Sequence, residues 1–154
     1  MVFHRTLLLM SAVWWVVGCA TTDSEPPRAV DSQSKPVVMF NLTSDARADP
    51  HPMTMALQLA RHAIDDGRHV VLFFNVKSIH VVSQDFPPDL ANSPAPPIRQ
   101  LLADVMAAGA EVQVCPHCLK AIGLNKSQLI PGAKLTSRDA LFSRIGPDTV
   151  VFTY

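Results

Sequence analysis

Two cysteines three residues apart, Cys115 and Cys118, carry the strongest chemical signal in the chain, and His117 stands between them. The reactive form of such a residue is the thiolate, so the question is what would ionise it. The run Val112-Gln113-Val114 reads as a strand ending at the edge of a sheet, and Pro116, its φ already set for a first helical turn, predicts a helix start there. Both sulfurs then fall at a helix N-terminus, where unpaired N–H groups and partial positive charge favour the anion. A thiolate so placed attacks a disulfide or the outer sulfur of a persulfide, and a second thiol one turn on can resolve the product. His117 would add a hydrogen-bond donor or a positive charge beside them.

Other chemistries are less well supplied. A Cys-x-x-Cys is half of a structural zinc site, and no second Cys or His pair follows at suitable spacing. There is no Gly-rich phosphate loop and no Ser-His-Asp order, so neither a metal nor a cofactor is expected. His80, in the loop after the strongest strand, either faces Cys115 across the strand ends or is a solvated loop residue. His62 and His69 flank a helix end and favour its C-terminus. Met53, Met55 and Met106 share helical stripes with leucines and read as core.

The positioning elements follow from hydrophobic periodicity. Pro36 to Leu42 is a first strand. Met53, Met55, Ala56, Leu59, Ala60, Ala63 and Ile64 recur at helical spacing and stop at Asp65-Asp66-Gly67. Val70 to Val76 is apolar on both faces, as a central parallel strand should be. Lys77 to Pro97, with five prolines, reads as a long loop overhanging the strand ends. A second helix through Ile98 and Met106 stops at Gly109, and Glu111 to Val114 follows as a strand. A short helix from the Cys-x-x-Cys to about Gly123, a last helix from Thr136 through Ile145 and a closing strand from Thr149 to Tyr154 complete a doubly wound α/β order. In such sheets ligands bind at the carboxyl ends of strands, where Cys115 lies.

The N-terminus has a different character. His4 and Arg5 precede an apolar run, Thr6 to Val17, that is short for a permanent membrane span, and the pattern through residue 19 is that of an export signal. Val16-Val17-Gly18-Cys19 resembles a bacterial lipobox, which implies cleavage before Cys19 and its lipidation; Ala20 in second place suits passage to the outer membrane. Residues 20–35 are rich in Thr, Ser, Asp and Pro and read as a tether. Fully extended, it would reach roughly 50 Å from the bilayer. Thirteen lysines and arginines balance thirteen acids, and loss of Arg5 with the signal leaves a net charge of −1, so nothing attracts nucleic acid.

Cys-Pro-His-Cys also occurs as the active-site tetrapeptide of thioredoxin-fold oxidants of the periplasm. That fold carries its motif after the first strand and needs a helix, strand, cis-proline and hairpin behind it, more than residues 119–154 supply. A resemblance over the whole region 36–154 fits the topology better. The segments Ala63–Phe74, Gly109–Leu124 and Leu129–Ala133 are similar to those of the DsrE/DsrF-like family of sulfur-relay proteins. The resemblance implies a flavodoxin-like three-layer α/β/α fold with a mainly parallel sheet and frequent assembly into trimers or hexamers. It also implies that a cysteine at the position of Cys115 carries a persulfide, exchanged with a donor or acceptor protein or small molecule. Cys118 would then resolve that persulfide. The competing expectation is a non-catalytic binding or assembly module whose dithiol is structural.

Cells fed radioactive fatty acid should label the wild-type chain and leave Cys19→Ser unlabelled. Label on the Cys19→Ser protein would refute lipidation at that residue.

Overall fold

Strands that are apolar on both faces need cover on both, and they find it here inside one parallel sheet. The structure, a computed structural model, describes residues 36–154. Residues 1–19, read above as an export signal ending at Cys19, and residues 20–35, read as a tether, lie outside the described residues. Strands β1 (Val37–Leu42), β2 (His69–Phe74), β3 (Glu111–Val114), β4 (Lys134–Leu135) and β5 (Val150–Thr153) lie in the order β4-β3-β2-β1-β5, every neighbouring pair parallel. β2 is the central strand, as its apolar sequence requires.

From β1 the chain steps in one direction to β2, β3 and β4 through α1 (His51–Asp65), α2 (Ile98–Ala107) and α3 (Pro116–Ala121). Right-handed crossovers place three such helices on one face. The step from β4 back across the sheet to β5 reverses direction, so α4 (Arg138–Phe142) belongs to the opposite face. The side chains agree. Phe40, Leu72, Phe74 and Val114 pack with Leu57, Leu102 and Leu119 in the main core, all at most 3% exposed. Each such side chain contributes about 1.5–3 kcal/mol by leaving water. The other face bears Met39, Val71, Glu111 and Gln113, and Arg144, just past α4, reaches across to Glu111.

Several elements differ from expectation for identifiable reasons. The buried face of α1 is Met53, Ala56, Leu57, Ala60 and Ala63; Met55 is 42% exposed, so the true stripe is rotated from the one read through Met55 and Leu59. Helix α1 also begins at His51, two residues before Met53 where the apolar stripe starts, with prolines at its N-terminal turn. Gly67 takes the expected left-handed conformation, φ 78°, after its C-terminus. His69 does not sit at the helix end: it opens β2, with Nε2 3.5 Å from Glu111 Oε2.

The segment 77–97 is no simple overhang. It contains a 3-10 turn, Ser78–Val82, buried except at His80, and Phe86 is 2% exposed. Arg99 pins it by donating to the carbonyls of Ser83 (2.7 Å) and Phe86 (3.1 Å). β4 has no apolar run to announce it; its two residues are exposed and recruited by pairing with β3. α4 starts at Arg138, two residues later than Thr136, because Ser137 Oγ accepts from the Ala140 N–H, and it ends at Phe142 rather than Ile145.

Glu111 ties the thinner face together. Its Oε2 meets Arg144 Nη2 at 2.9 Å, its Oε1 accepts from Gln113 Nε2 at 2.9 Å, and Gln113 Oε1 accepts from Thr136 Oγ1 at 2.6 Å. Burial would raise the Glu111 pKa, but the Gln113 hydrogen bond and the Arg144 charge outweigh it and hold the carboxyl below its ordinary value. A depressed carboxyl contributes stability above its unfolded pKa and loses it as pH falls through the folded one. Glu111→Gln should therefore cost about 1–2 kcal/mol at pH 7 in chemical denaturation, with the gap to wild type closing in acid, below the ordinary carboxyl pKa near 4.5. A gap independent of pH would show that the charge on Glu111 is not what stabilises this face.

Candidate functional site

The site is built where β3 ends. The Cys115 N–H donates to Phe74 O at 2.9 Å, continuing the β2–β3 ladder one residue past the strand, while the Thr136 N–H bonds Val114 O at 2.9 Å from the other side. Cys115 is thus held between two strands when the chain turns. It is extended, φ −66° and ψ 116°, and forms the N-cap of α3, with Pro116 as the first helical residue. The Leu119 N–H bonds Cys115 O at 3.0 Å, and Leu119, 3% exposed, anchors the helix in the core. These contacts reproduce the strand end, proline and helix start expected from sequence.

In this arrangement the Cys118 N–H points at Cys115 Sγ, 3.5 Å away, so the cap acceptor is a sulfur. Both thiols are free and half-buried. The Cys118 thiol is pushed up from its ordinary pKa, first by burial and then by its hydrogen bond with Cys115; the Val76 N–H beside it opposes the shift. Both burial and that hydrogen bond favour the protonated form of Cys118. His117 projects outward and is exposed.

His80 is tied elsewhere. Its Nδ1 lies 3.4 Å from Arg47 Nη1 of the β1–α1 loop, and burial, followed by the Arg47 charge, lowers its pKa. No hydrogen bond joins His80 to either sulfur among the described residues. Nor do three or more His, Cys, Asp or Glu side chains converge on a point that would hold a metal ion among those residues.

The turn after β2, from Asn75 to Ser78, escapes sequence reasoning. Asn75 Nδ2 donates to Asn41 Oδ1 at 2.7 Å, the Asn75 N–H bonds Leu42 O at 3.0 Å, and Ser78 Oγ donates to Leu42 O at 2.6 Å. Val76 reads as a seventh strand residue because it is β-branched and follows six residues rich in apolar side chains. It instead adopts φ 52°, and it is the one non-glycine residue with positive φ among the described residues. The signal that could have located the turn is the Asn-x-x-Ser spacing directly after the apolar run.

A model of the DsrE/DsrF-like family matches residues 38–146, most of the chain. The chain belongs to that family. An uncharacterized protein of Methanocaldococcus jannaschii is 32% identical over 99 residues, spanning 64% of this chain and 83% of that protein. The fold is shared with a protein of unknown function from Methanobacterium thermoautotrophicum (TM-score 0.61, 14% identity, 77% of this chain and 98% of that one). The ychN protein of E. coli is also similar (TM-score 0.54, 15% identity, 77% and 99%). These likenesses establish the α/β architecture of this DsrE-like chain. No helix among its described residues is long and apolar enough to cross a membrane.

Proposed function

We propose that this DsrE-like chain carries sulfur on Cys115, with Cys118 as the resolving thiol, in the periplasm-facing envelope to which a lipid on Cys19 would tether it. The observation that supports this most directly is the Cys118 N–H directed at Cys115 Sγ, while the protonated form of Cys118 is favoured. A negative charge on Cys115 gains both partners, and the thiolate is the attacking species.

The chemistry runs in two balanced steps. Cys115 thiolate attacks the outer sulfur of a donor persulfide, forming Cys115–S–S⁻ as the donor leaves as a thiol. The persulfide then passes its outer sulfur to an acceptor thiolate, or Cys118 attacks the inner sulfur. In the second case the new bond joins Cys115 to Cys118, the Cys118 proton goes to the departing sulfur, and HS⁻ is released. An external dithiol returns the disulfide to the reduced pair. His117, exposed beside the sulfurs, would offer a hydrogen-bond donor to an approaching anionic sulfur donor. No acid–base pair or cofactor is needed, so the role is that of a carrier rather than of a conventional enzyme.

After brief exposure to a low-molecular-weight persulfide, intact-mass and peptide spectrometry should find one added sulfur on Cys115 of the Cys118→Ala chain. Wild type should give the disulfide and free sulfide, and Cys115→Ser should take up no sulfur. Equal labelling of Cys115 and Cys118, or none on either, would refute the carrier reading. It would leave the dithiol to the alternative of a non-catalytic binding or assembly module.

A second reading concerns assembly. β5 is an edge strand and is exposed along its whole length; Val150 and Val151 are 45% and 50% exposed, and nearby Phe142 and Ile145 62% and 47%. An uncovered apolar edge of this kind is a template for pairing. We propose that a second copy of the chain covers it. Light scattering on the eluting protein should show an oligomer in wild type and a monomer in Val151→Lys; a monomeric wild type at micromolar concentration would overturn this.

A further inference from the structure

Charge is distributed unevenly around the dithiol. Between Glu111 and Asp139 the chain has no acidic residue, while Lys120, Lys126, Lys134 and Arg138 fall in that stretch. The backbone bonds that hold Cys115 bring cations to its margins from three elements. The Cys115 N–H donates to Phe74 O (2.9 Å), so the turn after β2, which carries Lys77, lies on one side. The Thr136 N–H donates to Val114 O (2.9 Å), so Arg138, the first residue of α4, follows closely on the other. Lys120 comes three residues after His117 on α3, which puts the two on one side of that helix. Lys77, His117, Lys120 and Arg138 are all exposed. Most arginines of the fold are engaged elsewhere: Arg61 with Asp65, Arg144 with Glu111, Arg47 with His80, and Arg99 with the carbonyls of Ser83 and Phe86. Lys77, Lys120 and Arg138 make no ion pair among the described residues. Asp139 adjoins Arg138 and offsets part of its charge, which leaves Lys77 and Lys120 as the stronger pair.

We infer that Lys77, Lys120 and Arg138 form a cationic rim on which an acidic polypeptide segment docks, bringing its own cysteine to Cys115. Its use presupposes the carrier reading, for that cysteine is then the donor or acceptor of the sulfur. A thiolate and a persulfide are both negative and repel as they approach. Cations at the margins offset the repulsion, and acidic residues around the partner's cysteine guide the encounter and fix its orientation. A small ligand gains its affinity from being enclosed, whereas the surface at the thiols is open. Neither the cleft between α1 and α2, lined by Leu57, Arg61 and Leu101, nor the smaller one beside Met106 and Ile130 includes a residue of the cysteine turn. Pro116, His117 and Lys120 instead face solvent, as a docking surface for another chain would.

Three synthetic peptides test the rim, identical except that their single cysteine is flanked by glutamates, glutamines or lysines. Each cysteine is activated as a mixed disulfide with neutral thiopyridine. In the full chain carrying Cys19→Ser and Cys118→Ala, Cys115 is the one thiol left. Its thiolate bonds to the peptide sulfur, the peptide–pyridine S–S bond breaks, and the absorbance of the departing thiopyridone gives the rate. At low salt the glutamate peptide should react about tenfold faster than the lysine peptide, with the glutamine peptide between them. The order should collapse near 1 M salt, where screening acts within about 3 Å. Adding Lys77→Glu and Lys120→Glu should reverse the order and leave the glutamine peptide within about twofold of its former rate. Equal rates for the three peptides at low salt overturn the inference, and so does an order that survives both substitutions. The salt comparison needs no substitution in the rim, so it decides alone if the doubly substituted chain does not fold. Dithiobis(nitrobenzoate), a small dianion, serves as a control: if the substitutions slow it but leave the peptides unchanged, a polypeptide partner is refuted. Persulfide transfer to Cys115 is read separately by mass. A charge order without transferred sulfur refutes the carrier role and leaves the rim, and transferred sulfur without a charge order refutes the rim and leaves the carrier.

Discussion

The pairing of β2 with β3 is the constraint on which the rest depends. Four residue pairs, from Val71 opposite Glu111 to Phe74 opposite Val114, set the register, and the bond from the Cys115 N–H to Phe74 O extends it into the site. Side chains alternate along a strand, so a slip of one residue would turn Val112 and Val114 away from the core and bring Gln113 into it. The register is therefore specified by burial, and the position of the cysteines follows. Packing energy spread over the sheet is converted into the location of two sulfurs beside one turn.

The thiols occupy a compromise between burial and ionisation. Packed against the core, they are half-exposed and open enough to be attacked, and burial pushes the Cys118 thiol up. The two cysteines share this burden unequally. Cys115 caps α3 and accepts from a main-chain N–H, whereas Cys118, within the first turn, is pushed toward the protonated form. Chain geometry, rather than any neighbouring base, distinguishes the two sulfurs.

Much of this was legible in the sequence because it depended on strong local rules. Val112-Gln113-Val114-Cys115-Pro116 specifies a strand, an extended residue and a helix start with little room for alternatives, and Glu111–Val114 is the strand found. Gly67 and Gly109 marked the helix ends because each takes positive φ where a left-handed residue is needed. What escaped was set by tertiary contacts. Val76 has the residue type of a strand, and only the clamp of Asn75, Ser78 and Leu42, residues brought together by the β1–β2 pairing, forces it out. Lys134 and Leu135 are a strand because β3 offers an edge, not because they prefer one. His80 meets Arg47 across 33 positions of sequence, a partnership that no local pattern announces.

The tetrapeptide Cys-Pro-His-Cys shows how far topology outweighs a motif. Its local physics, an extended cysteine ahead of a proline-started helix, does not depend on the surrounding fold. The residues that face it do. Here the neighbour is the turn after β2, the central strand of a parallel sheet with order β4-β3-β2-β1-β5, in which Val76 takes a left-handed conformation. A cis-proline facing the motif, as the thioredoxin framework would require, has no equivalent in that position: the residues alongside Cys115 are Asn75 and Val76. The same four letters thus meet different partners on different folds.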